Sequence, residues 1–155
     1  MKPNPALETL IEVATRRRDE ALRALGEAQR EHQQAQVQMA QLQGYSDESR
    51  QRWSARASQG VSPTLLHTHL TFMGKLEHAV GFQDGVLQRL AQNIQRCQDK
   101  VVLAERELAS LNKYQERKHQ AWQQWRHTQE QKHNDEMAAN LHRHRSAQHP
   151  WKQPV

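Results

Sequence analysis

The sequence predicts an all-α fold, two long helices in an antiparallel coiled-coil hairpin, with the second helix longer and overhanging at its C-terminal end. Three observations predict it. Apolar positions recur alternately four and three residues apart in two runs, the spacing of a coiled-coil seam. The runs mirror each other about Val61, so that each first-run residue from Ile11 to Leu42 has a partner whose number brings the pair to a sum of 122. Only one strong helix break, at Gly60-Val61-Ser62-Pro63, interrupts the chain between Ala6 and Pro150.

The first run is Leu7, Ile11, Ala14, Arg18, Ala21, Leu25, Ala28, His32, Ala35, Met39 and Leu42. The second is Met73, Leu76, Val80, Gln83, Leu87, Leu90, Ile94, Cys97, Val101, Ala104, Leu108 and Leu111. Mirrored, Ala14 meets Leu108, Ala21 meets Val101, Ala28 meets Ile94, and Ala35 meets Leu87. Small residues thus oppose large ones, which fills a shared layer without clash or void.

Asn4 before Pro5 is a cap followed by a first helical position, and Glu8 suits the positive end of the helix dipole. The first helix is expected over residues 5–57, the turn over 58–62, and the second helix over 63–141. At about 1.5 Å rise per residue these helices span about 80 Å and about 115 Å. In the turn, Gly60 supplies a C-cap, Ser62 an N-cap and Pro63 a first-turn residue. The His-rich stretch over 142–155 is expected to be a flexible tail. Residues 1–141 then form a single coiled-coil domain.

Composition agrees. The 155 residues are 35% apolar with a mean hydropathy of −1.04, too little for a thick globular core but enough for a two-helix seam. The net charge of +5 is uneven. Residues 31–112 balance eight basic against eight acidic side chains, whereas 113–155 carry eight against four. Attraction to an acidic partner is therefore strongest in the C-terminal segment. The mirror pairing exhausts the first helix at Tyr114 and Gln115. The seam continues beyond as Lys118, Trp122, Trp125, Gln129 and Lys132, too polar to close as a hairpin, so this basic arm with two tryptophans calls for a partner.

The single cysteine, Cys97, excludes an intrachain disulfide and reads as a small seam residue opposite Leu25. No run reaches the ~18 apolar residues of a membrane span and Met1–Leu10 lacks a signal-peptide stretch, so a cytoplasmic protein is expected. No phosphate-binding loop, nucleophile elbow or His-Glu-x-x-His pattern occurs. His67/His69 and His142/His144 stand two apart, on different helix faces, and do not form a metal site. Neither catalysis nor a metal or other cofactor is expected. Arg16-Arg17-Arg18 before Asp19-Glu20 reads chiefly as a solvated charge cluster, with Arg18 snorkelling beside Ala104.

In heptad letters Met39 and Met73 both occupy a, and on an antiparallel pair the two g flanks share a side. Near the turn that side carries Leu65, Phe72, Ala79 and Val86 with Gln38 and Tyr45. The other flank carries Gln36, Gln43, Arg50, Glu77 and Asp84. A localised apolar stripe of this kind marks a contact surface.

Ala6-Leu7-Glu8-Thr9-Leu10, Asp19-Glu20-Ala21, Ala24-Leu25-Gly26-Glu27, Leu42 with Tyr45, Gln131-Lys132 and Asp135-Glu136-Met137-Ala138, in this order and spacing, resemble the FliJ family of the bacterial flagellar type III export apparatus. The resemblance implies a cytoplasmic coiled coil similar to the central stalk of rotary ATPases, serving flagellum biogenesis and motility. It implies a peripheral location at the cytoplasmic face of the inner membrane, without membrane insertion. It also implies three partners: the hexameric export ATPase, the cytoplasmic domain of the export gate, and export chaperones. The family's gate-contacting residues match Gln38, Leu42, Tyr45, Phe72, Leu76 and Ala79. The ATPase ring would be met by Lys118, Trp122, Trp125 and Gln129. Ser49 and Gln83 depart from the family pattern, which favours an aromatic or histidine at both. Competing readings are the stalk of a virulence injectisome, a basic nucleic-acid-binding coiled coil, and a structural oligomer. A pI near 9.7 favours the second of these, but no continuous basic stripe or base-stacking surface accompanies it.

Overall fold

A computed structural model describes residues 4–148 as two helices, α1 (Pro5–Ala57) and α2 (Pro63–Gln148), packed against each other as a helical hairpin with no strand among the described residues. The chain divides into two compact units, one formed by Ala14–Arg106 and the other by Met1–Val13 with Glu107–Val155.

In the unit Ala14–Arg106 every position of both apolar runs is buried or half-buried. Ala14, Ala28, Ala35, Met73, Val101 and Ala104 are its buried apolar residues. The alanines let the two backbones approach while the larger aliphatics from α2 fill the layer between them. The same spacing continues past Leu42 through Ser46, which is buried, and then Ser49 and Trp53, which are half-buried. Trp53 stacks on His69 with ring centroids 4.1 Å apart and planes 4° from parallel. Those two residues also obey the mirror rule, so the register holds up to the turn.

Gln83 is the buried polar member of the seam, and its side chain is satisfied across the helix pair. Its Nε2 donates to the Ala35 carbonyl at 2.9 Å and to Gln38 Oε1 at 3.2 Å. A polar group bonded inside an apolar seam favours one register over its neighbours, since a shift would leave it unpaired.

The turn follows its local chemistry. Gly60 takes a positive φ of 88°, a conformation that costs a side-chain-bearing residue but not glycine. Its amide donates to the Ala57 carbonyl at 3.2 Å. Ser62 then caps α2, its Oγ accepting from the Leu65 amide at 3.2 Å.

In the other unit, Asn4 caps α1 through Oδ1, which accepts from the Ala6 amide at 3.2 Å. Leu7 and Leu108 are buried, and Ile11, Leu111 and Gln115 are half-buried. Past Gln115 the helix is exposed except at Trp122. Contacts within α2 support this stretch. Arg126 lies 5.0 Å over the Trp122 ring, Lys118 lies 5.5 Å over Tyr114, and Arg126 pairs with Glu130 at 3.4 Å.

α2 corrects one expectation. The second helix was expected to end at Leu141, yet it runs on to Gln148. Residues 142–148 contain no Pro or Gly, Arg145 sits favourably in the last turn, and Gln148 hydrogen-bonds His144 at 3.1 Å. Pro150, the first residue that would end a helix, and the rest of the expected tail lie outside the described residues.

Candidate functional site

Two surfaces carry the residues singled out from sequence, one in each unit. Within Ala14–Arg106 the turn-proximal g flank presents Tyr45 (59% exposed) from α1 and Phe72 (48%) from α2. Ala79 is half-buried beside them. Leu42 and Leu76 are half-buried seam residues, which support the flank from below. Gln38 is exposed, and its amide oxygen is held by Gln83.

A groove of about 700 Å³ opens on this flank next to the turn. Its floor is Trp53 and His69, and its rim carries Arg52, Arg56, Leu65 and Phe72. Of the six residues expected to contact the gate, only Phe72 lines the groove. Arg52 is held loosely by Glu48 at 3.9 Å. The groove therefore combines apolar and aromatic walls with two guanidinium groups, a lining suited to an apolar partner that carries carboxylates.

The two departures from the family pattern take different places. Ser49 is half-buried at the groove edge. Gln83 turns into the seam and adds nothing to the outer surface beyond its hold on Gln38.

Sequence reasoning missed Phe82, which at 65% is the most exposed aromatic side chain of this flank. Its signal was present: Phe82 stands three residues after Ala79 and four before Val86, on the neighbouring c position. The Trp53–His69 stack was also missed. It is an extension of the 4-3 spacing through Ser46 and Ser49, which hydropathy alone does not reveal.

The second surface lies on α2 beyond Gln115. Lys118, Trp122, Trp125 and Gln129 are spaced four, three and four apart, which brings them to one helix face. Trp122 is half-buried under Arg126, whereas Trp125 is 58% exposed and Lys118 and Gln129 are exposed. In the same unit Asn4, Leu7 and Glu8 border a shallow groove of about 410 Å³ with Asn112, Gln115, Glu116 and His119. That groove marks the N-terminal start of α1, beyond which α2 continues alone.

Among the described residues no group of His, Cys, Asp or Glu is arranged to hold a metal ion, and no helix is long and apolar enough to cross a membrane. Cys97 is half-buried in the seam.

No curated protein and no solved structure matches the chain at a significant level. A family model described as "Flagellar FliJ protein" matches residues 1–147, nearly the full length. The family is a non-enzymatic part of the flagellar export apparatus, and a general role in flagellar protein export follows from membership. With the hairpin, its seam register and the match over both helices in agreement, this chain belongs to the FliJ family of flagellar proteins.

Proposed function

We propose that this protein is a coupling stalk of flagellar type III export, joining the export ATPase ring to the cytoplasmic domain of the export gate and escorting export chaperones. It acts without catalysis of its own, in the cytoplasm at the inner face of the membrane. The observation that carries this reading is the length of α2 beyond Gln115, a helix exposed at every position but Trp122. A bare helix of this length gains little by being left in water, and a surrounding ring would bury Trp122 and Trp125 and neutralise its positive excess. Lys118, Trp122, Trp125 and Gln129 are the residues that would face the ring. Gln38, Leu42, Tyr45, Phe72, Leu76 and Ala79 would form the gate contact, with the exposed aromatic members Tyr45 and Phe72 supplying most of the affinity.

Truncation after Gln115 tests the stalk. The shortened chain retains the seam and should remain helical, yet it should no longer stimulate the purified export ATPase. Undiminished stimulation removes this reading. The same coupling would serve an injectisome equally well, but the family match favours the flagellar system.

A further inference from the structure

We propose that the turn-proximal flank of α2 is a second coiled-coil seam, and that its occupant is an acidic amphipathic helix of a partner protein. This deepens the gate-side reading above and rests on that flank being a contact surface.

Leu65, Thr68, Phe72, Lys75, Ala79, Phe82 and Val86 follow one another at alternating steps of three and four. That spacing describes a straight stripe on a helix, the pattern by which one helix receives another. Its partnered counterpart on the same helix, Met73, Leu76, Val80, Gln83 and Leu87, is covered by α1. Among the described residues no helix packs over the g/c stripe, although Ala79 and Val86 at its base are half-buried. Phe82 is 65% exposed and Phe72 48% exposed, although aromatic side chains of this size gain most from burial. The stripe runs about 30 Å, or three heptads.

Charge selects among helices. From Leu65 to Val86 the stripe's only charged residue is Lys75, and both acidic residues of that stretch, Glu77 and Asp84, stand at e on the opposite flank. Across the groove α1 contributes Arg52 and Arg56. The single carboxylate at a c or g position of α1 there, Glu48, is engaged with Arg52 at 3.9 Å. Beyond Val86 the same stripe continues as Arg89, Asn93, Arg96 and Lys100. An incoming helix with apolar residues at its a and d positions and carboxylates at its flanks would bury Phe72 and Phe82 and pair with this basic border. A helix with basic flanks would face uncompensated repulsion along its length.

The test uses the full-length protein and two labelled peptides of about three heptads, each with Leu at a and d. One carries Glu at e and g, the other Lys. Fluorescence anisotropy should show binding of the Glu peptide, weakening as salt rises, and none of the Lys peptide. Phe82→Asp should weaken Glu-peptide binding by about tenfold or more. Leu70→Asp should leave it unchanged, since Leu70 is a similarly exposed (59%) e position on the opposite flank of the same helix. Circular dichroism should show both variants as helical as the parent. Equal binding of the two peptides, absence of Glu-peptide binding, or an unaffected Phe82→Asp variant overturns the proposal. So does concentration-dependent self-association that Phe82→Asp abolishes, because the occupant would then be a second copy of this chain. If the Tyr45→Ala, Phe72→Ala double variant loses gate-domain binding while the Glu peptide fails to bind the parent, the contact surface stands and the acidic-helix occupant falls.

Discussion

Gln83 reaches across the helix pair to the Ala35 carbonyl at 2.9 Å, a hydrogen bond from a buried seam side chain to a backbone already inside a helix. Truncating Gln83 to Ala removes this bond and leaves a void, and should lower unfolding free energy by about 1–3 kcal/mol. Gln83→Leu should be close to neutral or stabilising, because the Ala35 carbonyl keeps its helical partner and the seam gains apolar contact. Urea unfolding of the two variants distinguishes them. A stability loss for Gln83→Leu as large as that for Gln83→Ala would mean the hydrogen bond, not the volume, matters.

Ala28 is 3% exposed and faces the level of Ile94 in the mirror register. Ala28→Leu should therefore overpack the layer and cost about 1–3 kcal/mol. Adding Ile94→Ala should restore most of that loss, since volume is exchanged across the seam. Thermal melts of the single and double variants provide the check, and additive losses would contradict the pairing.

The glycines separate by backbone geometry. Gly60 has φ of 88°, and Gly60→Ala should cost about 1–2 kcal/mol. Gly81 is helical, and a Cβ there meets nothing within 4 Å, so Gly81→Ala should stabilise by about 1 kcal/mol. Opposite signs in chemical denaturation are the expected result.

Tyr45 and Phe72 are about half exposed, so replacing both by Ala should leave helicity and melting nearly unchanged. Binding to the purified cytoplasmic domain of the export gate, followed by calorimetry, should weaken by about tenfold or more. Retained affinity would place the gate contact elsewhere.

Much of the hairpin was legible because a coiled coil writes its contacts into a linear spacing. Ala28, Ala35 and Val101 could be assigned to the buried layer from the 4-3 period, and Gly60 and Ser62 to the turn from their capping chemistry. The exposed flank beside the seam was legible only in part. Tyr45 and Phe72 were found because they are large, apolar and flank the seam. Phe82 escaped because its c position counts as outer surface until its exposure and its neighbours Ala79 and Val86 are considered together.

The sequence by itself determined that two amphipathic helices must fold back at Gly60 and bury one seam, because burial of a periodic apolar stripe has a single geometric solution once the turn is given. Tertiary structure alone decided what polar residues do within that frame. It turned Gln83 inward onto Ala35 and paired Trp53 with His69 in a stack. These outcomes depend on hydrogen-bond partners and ring contacts brought from the facing helix, which no one-dimensional pattern of hydropathy contains.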